Sequence, residues 1–125
     1  MANRDFSGTQ ALNRQVTFIA GSFAPDGANA PDKTQGLGFS VVRSAQGEFT
    51  ITFEDAYPAL LASKGNLRLA AAAARFIQFG AYNATNKTLV LRVIDASGAA
   101  QDVAANADNV VSFECTFQNS SVPSV

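Results

Sequence analysis

The sequence predicts an all-β fold: a single-domain antiparallel β-sandwich or barrel of about seven to eight strands, with an extended N-terminal arm. Three observations carry that expectation. Apolar and polar residues alternate in short runs, most regularly in Glu48-Phe49-Thr50-Ile51-Thr52-Phe53-Glu54 and in residues 110–118. A period of two puts one set of side chains on each face of a strand. The runs are rich in β-branched and aromatic residues, which suit a pleated, half-buried surface. Clusters of Gly, Pro, Asn and Asp separate them at short intervals, the spacing of a sandwich or barrel. A chain of 125 residues has the size of one domain and buries roughly two-thirds of its unfolded surface, so it needs no disulfide or metal staple.

Residues 1–15 have no clean period, and Phe6 and Leu12 stand apart among polar neighbours. They read as an extended arm with two apolar pegs. Residues 16–20, Val-Thr-Phe-Ile-Ala, read as the first strand. The stretch 24–35 is rich in Pro, Gly, Asp, Asn and Ala, with Pro25-Asp26-Gly27 as a turn signal, and reads as the longest surface loop. Residues 36–44 form the second strand, with Leu37, Phe39 and Val41 on one face. Gly47 then serves a short hairpin connection that needs a positive φ. Residues 48–54 form the third strand, and Pro58 ends its run because proline cannot donate to a ladder.

Ala59-Leu60-Leu61-Ala62 reads as a brief helical or irregular crossing. Residues 66–74 are ambiguous: five consecutive alanines favour helix, whereas Leu67 and Leu69 alternate like a strand. The reading is a strand, a turn near 72–74, and a further strand to Tyr82, with a helix packed on the sheet as the alternative. Residues 87–95 form a strand, with Leu89, Leu91 and Val93 on one face. Residues 110–118 close the domain, with Val111, Phe113, Cys115 and Phe117 inward. The domain thus runs from 16 to 118, and 119–125 reads as an extended C-terminal tail.

Composition excludes several functions. The formal charge is -1, and Lys and Arg are scattered singly. Nucleic-acid binding concentrates positive charge to displace counterions from phosphate, so none is expected. No window approaches the roughly 20 apolar residues of a membrane-spanning helix, and the first residues carry no apolar signal-peptide core. One cysteine and no histidine exclude an internal disulfide and any multi-cysteine zinc site. They also exclude a Ser-His-Asp or Cys-His arrangement. No phosphate-binding glycine motif is present. Neither a cofactor, a metal nor a small-molecule substrate is expected. Synthesis in a reducing cytoplasm fits, and the sequons at Asn83, Asn86 and Asn119 are chance matches in an Asn- and Thr-rich chain.

The remaining candidates read as structural. Cys115 falls on the phenylalanine face of the last strand, where a thiol is desolvated and inert. Glu48 and Glu54 lie roughly 20 Å apart along a strand, too far for a glycosidase pair. Asp95-Ala96-Ser97-Gly98 with Asp102 faintly resembles a calcium loop but lacks alternating oxygen ligands and the closing glutamate. Ten phenylalanines against two tyrosines and no tryptophan mark a core rather than a stacking platform. Tyr57 and Tyr82 are the available exposed-aromatic candidates, and both read as packing residues at strand ends.

Several stretches together resemble small virion proteins of tailed bacteriophages, of the kind assigned as capsid decoration (cement) proteins. They are the Met-Ala-Asn-Arg-x-Phe start, the hairpin 42–53 running into Asp55-Ala56-Tyr57-Pro58-Ala59-Leu60-Leu61, Asn86-Lys87-Thr88-Leu89-Val90-Leu91, and Phe117-Gln118-Asn119-Ser120-Ser121-Val122. The resemblance spans nearly the whole chain and its motifs are structural. It implies a β-rich homo-trimer on the capsid exterior, synthesised in the host cytoplasm, with no catalytic residues. Its partner would be the major capsid protein, whose subunits it bridges and stabilises. On that expectation the arm inserts Phe6 and Leu12 into grooves of the shell, and Arg4 and Arg14 pair with shell carboxylates. A tail-tube or head–tail connector subunit and a carbohydrate-binding β-sandwich module are the alternatives.

Overall fold

The computed structural model describes residues 16–118. Eight strands follow one another: β1 (Val16–Asp26), β2 (Asn29–Gly36), β3 (Phe39–Ala45), β4 (Glu48–Phe53), β5 (Ala59–Arg68), β6 (Phe76–Asn83), β7 (Thr88–Ile94) and β8 (Val110–Gln118). They form two antiparallel four-stranded sheets, in the orders β2-β1-β8-β5 and β3-β4-β7-β6. The predicted all-β sandwich is thus the observed fold. β5, β6 and β7 follow in sequence, and β8 returns through residues 95–109 to lie beside β5. That is a Greek key spread over both sheets.

The alternating runs set the register. Inward residues of β8 (Val111, Phe113, Cys115, Phe117) face inward residues of β4 (Phe49, Ile51, Phe53) and β7 (Leu89, Leu91, Val93) across one core. Phenylalanine rings connect the sheets: Phe23 to Phe49 at 4.9 Å, Phe39 to Phe113 at 4.9 Å and Phe53 to Phe117 at 4.7 Å between centroids. The last two are edge-on, the arrangement that the ring quadrupole favours.

One cross-strand row is built around missing side chains. Gly36 pairs with Gly21, Gly21 with Phe113, and Phe113 with Gly65. A Cβ at Gly21 would overlap the Phe39 ring, one at Gly36 would stand 2.6 Å from it, and one at Gly65 would stand 2.7 Å from Ile77 Cγ2. The row therefore accepts Phe39 and Ile77 from the opposite sheet in space that any other residue would fill.

Three expectations need correction. Residues 24–35 are not a surface loop: β1 continues to Asp26 and pairs with β2 as a hairpin. The two prolines are tolerated because Pro25 falls where the register shifts and Pro31 lies on an edge strand, the positions where a missing N–H costs least. Leu37 is not on the inner face with Phe39 and Val41; it is 87% exposed, between Gly36 (φ 110°) and Gly38 (φ 86°). Residues 59–62 are strand, paired to β8 through a bulge at Leu61. The expected strand, turn and strand across 66–82 is observed: the alanine run lies in the β5–β6 connection, Ala70 to Ala74 are exposed, and the alternative packed helix does not form.

Phe117 is fully buried and contacts Phe53, Tyr57 and Tyr82. Phe117→Ala is expected to cost about 3–5 kcal/mol, the usual range for emptying a buried phenylalanine site. Equilibrium urea unfolding measures this, and a loss under about 1 kcal/mol would contradict the core described.

Candidate interaction surface

The sandwich has two unlike ends. At one, the β7–β8 crossover is tied to the β3–β4 hairpin. Arg43 donates from Nε (3.1 Å) and Nη2 (2.8 Å) to the two carboxylate oxygens of Asp102, which also accepts the Gly47 N–H at 2.8 Å. Val93 N–H donates to the Gly47 carbonyl at 2.8 Å. Gly47 (φ 65°) lies so close to residues 100 and 101 that a side chain has no room. Val103, beside Asp102, is buried in the core, and its carbonyl accepts the Gly27 N–H. The crossover thus acts as a polar-backed plug.

Two carboxylates at this end, Asp95 and Asp102, are engaged by that architecture. Asp95 accepts from the Ser97 hydroxyl and N–H, the Ala99 N–H and Gln101 Nε2. Hydrogen bonding, led by the Ser97 side chain, holds its carboxyl at about 2. Arg43 keeps Asp102 below the usual carboxylate range. A carboxyl whose folded pKa is depressed contributes stability above its ordinary pKa and loses it as pH falls through the lowered value. The calcium-loop likeness dissolves into an Asp-capped turn, and no group of three or more His, Cys, Asp or Glu suited to a metal occurs among the described residues. Asn109 is buried and satisfied on both sides, accepting from Ala70 N–H (2.8 Å) and donating to the Ala104 carbonyl (2.9 Å).

The opposite end is aromatic and holds both ends of the described chain. Tyr57 stacks on Phe117 at 4.7 Å, and the Tyr82 hydroxyl donates to the Tyr57 carbonyl at 2.8 Å. Burial raises both phenol pKa values. Both tyrosines are packing residues. Here Val16 pairs with Gln118, and Gln118 with Ala59. Residues 1–15 and 119–125 therefore join the domain side by side.

Large apolar side chains are exposed near this end. Phe18 is 65% exposed on the outer face of β1, and Leu61 is 55% exposed at the β5 bulge. They flank Thr116, since Phe18 pairs with Thr116 and Thr116 with Ala62. Farther along the same outer face, a shallow trough of about 420 Å³ is floored by the short side chains Ala20, Ser22, Asn66 and Ser112. The exposed ion pair Lys64–Glu114 (3.3 Å) also borders the trough.

The expected contact residues Arg4, Phe6, Leu12 and Arg14 lie outside the described residues, in the segment that enters at Val16. Glu48 and Glu54 stand at opposite ends of β4 and are not brought together. The exposed Phe18, Leu37 and Leu61 are not apparent from the strand pattern alone. In residues 16–20, three consecutive apolar residues, Phe18, Ile19 and Ala20, cannot all point inward in a strand, and that is the available signal for Phe18. No protein-family model matches the chain, and neither the curated proteins nor the solved structures give a significant match.

Cys115 is fully buried, and desolvation, with Glu114 beside it, pushes its thiol up to about 12. Iodoacetamide at pH 8 is expected to leave it unmodified in the native protein and to alkylate it fully after unfolding, read by intact mass. Rapid native labelling would overturn the buried assignment.

Proposed function

We propose that this chain is a structural virion protein, a decoration or cement protein that binds the outer face of a phage capsid and bridges major capsid protein subunits. One observation carries the reading furthest. Both terminal segments join the sandwich at the same end, beside the exposed Phe18 and Leu61. A module anchored through its ends would place its polar, internally tied end outward. Asp95 and Asp102 are engaged in structural hydrogen bonds and the thiol is buried, which is compatible with a structural role.

On this proposal the arm carrying Arg4, Phe6, Leu12 and Arg14 makes the shell contact. Deleting residues 2–14 should abolish occupancy of the capsid while leaving the β domain folded. Electron cryo-microscopy of particles made with each form reads the occupancy, and circular dichroism of the isolated protein reads the fold. Density for the full chain at hundreds of capsid positions is expected. A few dozen copies in a tail or connector, or unchanged occupancy after the deletion, would overturn the proposal.

A further inference from the structure

We infer that two copies of this chain pair through the first five residues of β1, residues 16–20, making one continuous sheet about a two-fold axis at Phe18. β2 pairs with β1 only from Gly21 to Asp26, because the Gly36–Leu37–Gly38 corner carries the chain to the other sheet. Residues 16–20 therefore have β8 on one side and, among the described residues, no strand on the other.

Exposed edges template pairing with another chain, and proteins usually interrupt them. The four edge strands here are interrupted. β2 contains Pro31, Asp32 and Lys33 and shifts register against β1. β3 shifts after Arg43, β5 after Leu60 and β6 after Phe79. Residues 16–20 contain no proline and no charged residue, and their pairing to β8 runs without a shift.

An unshifted row of alternating N–H donors and C=O acceptors is complementary to itself in the antiparallel sense. The occupant that fits it is a second copy. Val16 then faces Ala20 of the second copy, Thr17 faces Ile19, and Phe18 faces its own equivalent. No like charges meet along the stretch, and the end of each β2 at Gly36 brackets it and fixes the register. The exposed Phe18 rings become directly opposed cross-strand neighbours, a stabilising aromatic pair. Leu37 heads the open stretch with 87% of its surface exposed and adds apolar area. Five paired residues bury less than the roughly 1,000 Å² of a stable interface, so the dimer should dissociate on dilution. The inference stands apart from the capsid proposal, and it yields pairs where the resemblance implies trimers.

The test is sedimentation velocity on the full chain over a dilution series, with hydrogen exchange followed at those amides of residues 16–20 that point away from β8, for wild type and Phe18→Lys. Phe18 is exposed, so lysine should leave the fold intact, and unchanged exchange in β4 and β7 checks this. Ala20→Lys, exposed on the same face, serves if the first variant fails to fold. Wild type should show a monomer–dimer equilibrium, with these amides exchanging about tenfold more slowly in the dimer. The lysine variant should be monomeric and exchange fast. Three results would overturn the inference: wild type monomeric throughout, a trimer, or a dimer whose residues 16–20 exchange as fast as in the variant. Protection of the same amides in the monomer would also overturn it and assign the edge to the segment preceding Val16.

Discussion

The seat of Phe39 on Gly21 and Gly36 governs the rest of the molecule. Packed sheets normally stand about 10 Å apart with interdigitating side chains. Here a ring from one sheet enters a row of the other where two successive residues have no Cβ, and its edge meets Phe113 at 4.9 Å between centroids. Gly36 and Gly38 hold positive φ, which glycine alone adopts at little cost. They turn the chain from β2 into β3 so that Phe39 lands on that row. The same corner ends the pairing of β2 with β1 at Gly21 and leaves residues 16–20, among the described residues, without a strand on that side. One packing event thus closes the sandwich and sets where the β1–β2 pairing stops.

The ends of the sandwich divide the remaining work. The Arg43–Asp102–Gly47 cluster fixes the β7–β8 crossover with charge-assisted hydrogen bonds, stronger than neutral ones. Val103 beneath it completes the core. At the other end Tyr57, Tyr82 and Phe117 form an aromatic floor under the point where Val16 and Gln118 meet. Among the described residues the polar end brings together no group of three or more carboxylates or thiols suited to a metal. The aromatic end presents exposed apolar side chains and is where the described chain begins and ends. On the two proposals made above, such a protein acts through its surface and its backbone edge.

Much of this was legible in the sequence, and the gaps have physical causes. The strict alternation in β4, β7 and β8 gave their faces correctly, because both sides of each strand have distinct environments. The β1–β2 hairpin was hidden behind Pro25 and Pro31, whose local cost is absorbed by a register shift and an edge position. β5 was obscured because its bulge at Leu61 breaks the period of two and its inward positions include Gly65. The seats at Gly21, Gly36 and Gly65 could not be read locally, since a glycine that receives a side chain from another sheet leaves no trace in its own neighbourhood. The Arg43–Asp102 pair spans 59 residues and could not be read from either neighbourhood.

The central claim is that the fold closes on Phe39 seated over glycine. Gly21→Ala tests it most directly, because Gly21 lies within a regular strand where alanine would otherwise be the better residue. Filling the site should lower the unfolding free energy by about 1–3 kcal/mol, the usual cost of overpacking a core, measured by equilibrium urea denaturation. A Gly21→Ala protein as stable as wild type, or more stable, would contradict the account.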